Sequence, residues 1–325
     1  MSRLREEQRK AMGAPVRVAI LDDYQNVAMT TVDWSPVTSR ADVTVFSDHV
    51  ADPNELVARL APFEVVFVMR ERTPLPRNVI ERLPRLRMIA STGPFNASID
   101  MAAAAERGIH VGTTGGTVSS TVELTWALIL GASRHLIDER RSVAEGGWQT
   151  TVGRELDRRV LGVLGLGRIG ARVARIGAAF GMDVVAWSAN LTPEAAAEAG
   201  ARYVSRDEFF ATADVVTVHL KLSERSRGAV GAAELAAMKP TSLLVNTSRG
   251  PIVDERALIE TLRSRAIGGA ALDVFDIEPL PADHPLRTLP NVLATPHLGY
   301  VADRPYRIFF RDGVAAIAEW LDGNT

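Results

Sequence analysis

Short apolar runs rich in β-branched residues recur along the chain, separated by stretches with a helical spacing of apolar residues. The runs are continuous rather than alternating, which indicates strands buried on both faces, as in a parallel sheet covered by helices. The sequence therefore predicts an α/β fold with parallel sheets. The runs are VRVAIL (16–21), VTVF (43–46), VVFVM (65–69), VLGVLGLG (160–167), DVVAW (183–187), DVVTVHL (214–220), SLLVN (242–246) and NVLATP (291–296).

A long helical stretch and a C-terminal amphipathic segment interrupt this alternation. The length of 325 residues favours about two domains. We interpret residues 117–142, which have helical spacing and no neighbouring strand, as the connector between them. Near the end of the chain, Ile308, Val314, Ile317 and Leu321 fall on one broad face of a predicted helix. We expect that helix to return to the first domain.

The overall composition argues against several kinds of partner. A formal net charge of −2 is not typical of a chain that binds nucleic acid or an anionic membrane. No apolar run approaches the roughly 18 residues of a membrane span. The charged residues 1–15 predict a frayed leader rather than a signal peptide. The absence of cysteine excludes disulfides, thiolate metal sites and a cysteine nucleophile. We therefore expect a cytoplasmic enzyme without a metal.

The segment VLGLGRIG places Gly165, Gly167 and Gly170 in a G-x-G-x-x-G pattern, directly after a predicted strand and at the start of a predicted helix. The first glycine allows a tight turn, the second lets the backbone approach a pyrophosphate, and the third permits close packing of helix on strand. The helix N-terminus then presents free N–H groups to the phosphates. Arg168 either adds a positive charge there or is a solvated surface side chain. The pattern predicts a bound dinucleotide cofactor.

Three further residues follow predicted strands and carry groups suited to hydride-transfer chemistry, which needs a proton donor and a substrate anchor. His297 comes after NVLATP, Glu278 lies in a proline-bounded loop, and Arg249 stands between SLLVN and a predicted helix. Each has a simpler interpretation when taken singly: a packing histidine, a solvated loop acid and a surface ion pair. Because ligand sites of parallel α/β sheets gather beyond the carboxyl ends of strands, the three together favour an active site.

Four ordered segments carry a resemblance to a known family: GVLGLGRIG, VNTSRGPIVDE, GAALDVFDIEPLP and TPHLG. They are similar to the signature blocks of D-isomer-specific 2-hydroxyacid dehydrogenases, which interconvert 2-hydroxy acids and 2-keto acids with NAD or NADP. The resemblance implies two Rossmann-like or flavodoxin-like domains with parallel sheets. The nucleotide-binding domain would be inserted in the substrate domain, with the active site in the cleft between. The implied boundaries are residues 1–117 and 299–325 for the substrate domain and residues 118–298 for the nucleotide-binding domain.

The resemblance also implies roles for individual side chains. Arg249 corresponds to the anchor of the substrate carboxylate, to which a planar guanidinium offers two parallel hydrogen bonds. Glu278 corresponds to the partner of His297 and favours its protonated form, and His297 gives its proton to the keto oxygen. Gly93 corresponds to the loop backbone that helps hold the carboxylate. The implied cofactor-binding residues are Gly165, Gly167, Arg168, Ile169, Gly170, Ser188, His219 (adenosine side), Thr247, Ser248 and Asp273 (near the nicotinamide carboxamide).

Several positions depart from the family pattern. Phe95 replaces the second glycine of the substrate loop, and Ala97 and Ser98 stand where Asp and Asn are common, so the substrate's identity is not carried over. Lys221 replaces the usual proline after HL. Ser188 occupies the position of the acid that, in NAD-selective sites, binds the ribose hydroxyls and repels the 2′-phosphate of NADP. This departure predicts that both cofactors are accepted.

Two alternatives share the implied fold. Formate dehydrogenase carries glutamine beside its histidine, so Glu278 argues against it. A nucleotide-sensing scaffold similar to the C-terminal-binding-protein corepressors retains the catalytic residues, and the motifs leave that alternative open. The family is typically dimeric, and we expect a homodimer in which the predicted 117–142 helix presents Trp126, Leu128 and Leu130. Packing within one chain would explain the same three residues.

Overall fold

The computed structural model describes residues 15–323, so residues 1–14 of the predicted leader lie outside the described part of the chain. The described chain forms two compact units. The first runs to Thr117 and resumes at Asp303, and the second is Val118–Ala302. The sequence places the end of the nucleotide-binding domain at residue 298. The second unit extends further because Gly299 is hydrogen-bonded to Asp273 and Thr121, which belong to that unit.

The first unit contains a five-stranded parallel sheet. Its strands are β1 (Val16–Ile20), β2 (Ala41–Val45), β3 (Val65–Val68), β4 (Met88–Ser91) and β5 (His110–Thr113). Their spatial order is β2-β1-β3-β4-β5, and every neighbouring pair is parallel. Parallel neighbours need crossover connections, and short helices supply them. These helices are α1 (Ala28–Thr31), α2 (Ser35–Thr38), α3 (Pro53–Leu60), α4 (Arg77–Ile80) and α5 (Met101–Glu106).

The stretch predicted as one connecting helix over 117–142 is two helices, α6 (Ser119–Ser133) and α7 (Leu136–Ala144). His135 separates them because it adopts the left-handed conformation with φ 50°, which ends one helix before the next begins. The interpretation of this stretch as a connector between domains was wrong, since both helices lie inside the second unit. Trp126 and Leu128, expected at a dimer interface, are buried in the core of that unit.

The second unit contains a seven-stranded parallel sheet. Its strands are β6 (Val160–Leu164), β7 (Asp183–Trp187), β8 (Arg202–Tyr203), β9 (Val215–Val218), β10 (Leu243–Asn246), β11 (Gly269–Leu272) and β12 (Val292–Ala294). The spatial order is β12-β11-β10-β9-β6-β7-β8. The chain therefore enters in the interior at β6, builds outward to β8, and then returns to build outward from β9. Ligands of such doubly wound sheets bind beyond the carboxyl ends of the strands, where the order reverses.

Helices cover both faces of this second sheet. Successive strand residues point to opposite faces, so Leu244 packs in one apolar cluster and Val245 in another. Besides α6 and α7, the helices of the unit are α8 (Gly170–Ala179), α9 (Pro193–Glu198), α10 (Arg206–Thr212), α11 (Ala232–Ala237) and α12 (Glu255–Arg263). Short 3-10 turns at Gly250–Ile252 and Pro285–Arg287 complete it.

The last helix, α13 (Asp303–Asp322), belongs to the first unit, as the amphipathic C-terminal pattern predicts. Its Phe310 ring stacks on Phe67 of β3 at a centroid distance of 5.6 Å, and Trp34 meets both rings edge-on. Gly313 lies so close to the sheet that a Cβ there would come within 2.1 Å of the Phe67 ring. Among residues 15–323, no helix is long and apolar enough to cross a membrane.

Candidate active site

Polar residues gather beyond the carboxyl ends of the strands of the second sheet. Because neighbouring strands of a sheet lie roughly 4.8 Å apart, residues that follow adjacent strands form a continuous row along one edge. The row places the predicted acid–base residues at one end and the predicted adenosine site at the other. In spatial order it contains His297 (after β12), Asp273 and Glu278 (after β11), Thr247, Ser248 and Arg249 (after β10), His219 (after β9), Gly165–Gly170 (after β6) and Ser188 (after β7).

The glycine-rich turn lies where the order of the strands reverses. Gly165 has φ +94°, and a Cβ there would come within 2.9 Å of the carbonyl oxygen of His219, which follows the neighbouring strand β9. A Cβ at Gly170 would come within 2.1 Å of the Gly165 carbonyl oxygen, so both positions require glycine. Gly167 faces open space, with nothing within 4 Å of a Cβ built on it. This opening lets a pyrophosphate approach the backbone closely.

The ten-residue helix α8 starts at this turn, so the positive end of its dipole lies beside the same opening. Ile169 stands at its N-cap position, and no side chain caps the helix. Arg168 is exposed beside it. The open approach at Gly167 and the uncapped helix start therefore fit the pyrophosphate of a dinucleotide cofactor.

His297 and Glu278 form a close pair at the other end of the row. His297 Nδ1 lies 2.5 Å from Glu278 Oε2, and the other carboxylate oxygen, Oε1, accepts the backbone N–H of Phe275 at 2.9 Å. His297 has φ 53°, a left-handed conformation that turns the chain directly after β12. The side chains are only 20% (His297) and 32% (Glu278) exposed, so the contact is partly shielded while the ring keeps access to solvent. Because Nδ1 faces the carboxylate, Nε2 is the nitrogen available to a ligand.

Asp273 supports the turn that carries His297. Its fully buried carboxylate accepts the Thr295 hydroxyl at 2.6 Å and the backbone N–H groups of Leu298 at 2.7 Å and Gly299 at 2.9 Å. Burial raises the pKa of Asp273, and these hydrogen bonds oppose that rise. The structure thus places Asp273 beneath the histidine turn, bonded to residues on both sides of His297. Thr295, which the sequence does not single out, is part of this support.

Arg249 follows β10 in a turn that a buried asparagine holds. Asn246 donates from Nδ2 to the Arg249 carbonyl at 3.0 Å, and its Oδ1 accepts the Ser248 N–H at 3.0 Å. Arg249 Nη1 donates to the Ser248 carbonyl at 2.7 Å. These bonds fix the backbone from which the guanidinium extends. The sequence does not single out Asn246 as a site residue, because it is the last residue of a predicted strand.

Two hydroxyls expected to face the cofactor are bonded within the protein instead. The buried Thr247 hydroxyl lies 2.8 Å from the hydroxyl of Thr125 on α6. The Ser248 hydroxyl donates to the carbonyl of Leu220, which follows β9. Both side chains therefore connect β10 to its neighbours. A cofactor contact at these positions would involve their backbone rather than their hydroxyls.

The adenosine end of the row contains His219 and Ser188. The surrounding protein lowers the pKa of His219 to about 3 by desolvation, so its ring is neutral, and its Nε2 lies 2.9 Å from the Thr217 hydroxyl. Ser188 directly follows Trp187, whose carbonyl accepts the Gly165 N–H at 3.0 Å. Ser188 is therefore adjacent to the glycine turn, where a carboxylate would bind an adenine ribose.

Gly93 lies in the first unit, at the carboxyl end of β4. It has φ +83°, and its N–H donates to the Thr114 hydroxyl at 2.7 Å. A Cβ at this glycine would come within 1.6 Å of Arg70 Nη1, so the Arg70 guanidinium lies directly over the loop. Asn96 fixes that arginine by donating to its carbonyl oxygen at 2.7 Å. Arg70 is a cation beside the predicted substrate loop that sequence reasoning missed, and the exposed Phe95 follows in the same loop.

Comparison with known proteins gives a consistent result. Residues 126–299 match the family model described as the NAD-binding domain of D-isomer-specific 2-hydroxyacid dehydrogenases. A glyoxylate reductase of Aeropyrum pernix is 41% identical over 267 residues, which cover 79% of this chain and 79% of that protein.

Two solved structures extend the comparison. The crystal structure of a phosphoglycerate oxidoreductase from Vibrio cholerae has a TM-score of 0.90 and 40% identity, and the match covers 95% of this chain and 99% of that one. A D-lactate dehydrogenase of Aquifex aeolicus, crystallised with NAD and lactic acid, has a TM-score of 0.75 and 26% identity, with 94% and 96% covered.

Proposed function

The chain belongs to the D-isomer-specific 2-hydroxyacid dehydrogenase family, and from this premise we propose that His297, Glu278 and Arg249 carry out its reaction, the interconversion of a D-2-hydroxy acid and its 2-keto acid. The observation that carries the proposal is the 2.5 Å contact between His297 Nδ1 and Glu278 Oε2, on the same sheet edge as the Arg249 turn and the glycine-rich turn. An acid–base pair, a cation and a dinucleotide turn in one row are what hydride transfer to a keto acid requires.

A nicotinamide dinucleotide, when bound, supplies or accepts the hydride at carbon 2 of the substrate. In the direction of reduction, His297 donates a proton from Nε2 to the keto oxygen. Glu278 holds the ring through Nδ1 and stabilises the imidazolium by charge pairing. In the direction of oxidation, Nε2 takes the proton of the substrate hydroxyl. Asp273 keeps the backbone of the histidine turn in place through its bonds to Leu298 and Gly299.

Arg249 holds the substrate carboxylate in this proposal. A guanidinium presents two parallel N–H groups to a carboxylate, which fixes both the position and the orientation of a 2-keto acid. Asn246 and Ser248 hold the Arg249 backbone and so restrict the side chain's approach. The residues named here all belong to the second unit. Within the first unit, we propose Gly93 as the backbone and Arg70 as the cation of a substrate loop.

The substrate is a small 2-keto acid in this proposal, since a relative of similar length is named glyoxylate reductase and another is named hydroxypyruvate reductase. The test is a panel of glyoxylate, hydroxypyruvate, 3-phosphohydroxypyruvate and pyruvate with NADH and with NADPH, followed at 340 nm. We expect turnover with at least one of them. Tight cofactor binding without any turnover would contradict the enzymatic proposal and favour a nucleotide-sensing scaffold.

We also propose a homodimer, formed through side chains other than Trp126, Leu128 and Leu130. Apolar side chains are exposed on α7 and in the loop after it, where Trp148 is 73% and Val152 is 92% exposed. The loop is nevertheless held in one conformation, since Glu139 accepts the N–H and hydroxyl groups of Thr150 and Thr151. A fixed, exposed apolar surface is typical of an interface with another chain. The occupant that we propose is a second copy of this protein.

A further inference from the structure

The adenosine end of the cofactor site lacks the acid that selects for NAD, and the structure brings a cation there from another strand. Arg225 lies in the loop after β9, a strand that is not adjacent to β7 in the sheet. The orientation of the Asn190 carboxamide is assigned as the one that satisfies its hydrogen bonds. In that orientation Asn190 Oδ1 accepts a hydrogen bond from Arg225 Nη2 at 3.2 Å, and Asn190 Nδ2 donates to the Ala189 carbonyl at 3.3 Å. Asn190 is two residues beyond Ser188, so the guanidinium reaches the segment that begins at Ser188.

The loop that carries Arg225 is internally fixed. The buried Ser226 hydroxyl donates to the Lys221 carbonyl at 2.7 Å and accepts the Ser223 N–H at 2.8 Å. The backbone N–H groups of Ser226 and Arg227 both donate to the Ser223 carbonyl at 3.0 Å. These bonds define the backbone on both sides of Arg225. The arginine therefore extends from a defined turn toward the end of β7.

A second arginine near the end of β7 is already engaged. Arg206 forms an ion pair with Glu234 at 2.6 Å, and its guanidinium lies 5.6 Å from the centre of the Trp187 ring. Glu234 thus neutralises Arg206. The Arg225 guanidinium instead contacts the neutral Asn190 carboxamide, which a phosphate can replace.

We propose that Arg225, together with Ser188 and Asn190, binds the 2′-phosphate of NADP and gives the protein a preference for NADP over NAD. The inference rests on the proposed function only in requiring a dinucleotide cofactor at the glycine turn. The Ser188 hydroxyl and the Asn190 carboxamide donate hydrogen bonds to phosphate oxygens, and Arg225 adds a charge-assisted bond. A 2′-hydroxyl offers no charge for Arg225 to pair with, so NAD loses that bond.

Binding of nucleotide fragments tests the assignment without any turnover. Isothermal titration calorimetry of the full-length protein uses 2′,5′-ADP, which carries the 2′-phosphate, and 5′-AMP, which does not. We expect 2′,5′-ADP to bind about tenfold more tightly, because a charge-assisted bond at an exposed site contributes near the lower end of its usual range. That advantage falls as salt is raised. Titrations of NADPH and NADH by quenching of tryptophan fluorescence measure the same difference on the complete cofactors.

Two variants locate the effect. Arg225→Ala removes most of the preference for 2′,5′-ADP and leaves the affinity for 5′-AMP within about twofold, or ~0.4 kcal/mol. The matched control is Arg227→Ala in the same exposed loop, where the charge faces Asp276, and it leaves both affinities unchanged. An unchanged 5′-AMP affinity also reports that the variant is folded around the glycine turn.

Each other result overturns the assignment. Equal affinities for the two nucleotides in the unmodified protein would show that nothing reads the 2′-phosphate. A preference that survives Arg225→Ala, or that Arg227→Ala abolishes equally, would place the phosphate elsewhere. Absence of binding by either nucleotide would reject the site itself. Failure of the keto-acid panel alone would reject the proposed reaction and leave the Arg225 assignment standing, so the two proposals fail separately.

Discussion

Replacing Glu278 by glutamine tests the acid–base pair, because the carboxylate has two different bonds to satisfy. One oxygen faces His297 Nδ1 at 2.5 Å and the other accepts the Phe275 N–H at 2.9 Å. A glutamine has a single acceptor oxygen and one amide donor group. If its oxygen turns toward Phe275, the amide donates to Nδ1 and the proton of a neutral ring moves to Nε2. If its oxygen turns toward the histidine, the Phe275 N–H loses its acceptor.

The size of the effect follows from this geometry. The first orientation blocks the oxidation direction, because Nε2 then carries a proton and cannot take another from the substrate. Both orientations remove the negative charge that stabilises the imidazolium formed during reaction. A lost or unmet hydrogen bond of this kind costs about 1–3 kcal/mol. At ~1.36 kcal/mol per decade, we expect kcat to fall about 5–150-fold, with the larger loss in the oxidation direction.

Steady-state kinetics in both directions measure this loss, and fluorescence titration of the cofactor provides the accompanying binding constant. The matched control is Asp276→Asn, which removes a carboxylate from the same loop and is expected to leave kcat within about twofold. If Glu278→Gln retains full kcat in both directions while the cofactor binds normally, the histidine does not depend on this carboxylate and the proposed acid–base pair is refuted.

Four further changes test other parts of the site. His297→Ala should lower kcat by ~10²–10⁴ with cofactor affinity nearly intact, and full activity would remove it from the mechanism. Arg249→Lys keeps the charge but loses the planar fork, so KM for 2-keto acids should rise sharply; a rise below about twofold, less than ~0.5 kcal/mol, would point to another anchor. Ser188→Asp should shift kcat/KM toward NADH, whereas a strict NAD preference in the unmodified protein, beyond about 100-fold or ~2.7 kcal/mol, would contradict our account of this position. Trp148→Ser should raise the dissociation constant of the dimer without lowering Tm, and a concentration-independent monomer mass of the unmodified protein in sedimentation would contradict the dimer.

The sequence predicts β6, β7, β9, β10 and β12 of the second sheet, because these strands are apolar runs, but the predicted runs miss β11 and the exposed two-residue strand β8. The run at 242–246 becomes β10, with residues packed in clusters on both sides of the sheet. In the first sheet, β4 and β5 are missing from the sequence-based prediction. β4 has only four residues, all buried, and the edge strand β5 mixes exposed His110 and Thr113 with partly buried residues, so neither shows a clear period. Edge strands and very short strands are defined by their neighbours rather than by their own pattern.

The candidate site is likewise only partly predictable from the sequence. Glycine positions and the order of motifs can be recognised along the chain, because the local geometry of the turn requires each glycine. The hydroxyls of Thr247 and Ser248 bond to α6 and to the segment after β9, which are distant in sequence, so their partners cannot be read from the motif. The contact of Arg225 with Asn190 joins two loops from non-adjacent strands. Such contacts depend on how the strands are ordered in the sheet.

The return of α13 to the first unit has a consequence for the order of events during synthesis. Strands β1 to β5 leave the ribosome first, but Phe67 and Trp34 lack their Phe310 partner until α13 has been translated. The second unit, Val118–Ala302, is complete earlier, because all of its strands precede α13. Since domains generally fold as units while the chain emerges, we expect the nascent first unit to expose its aromatic face to chaperones while the second unit is already folded.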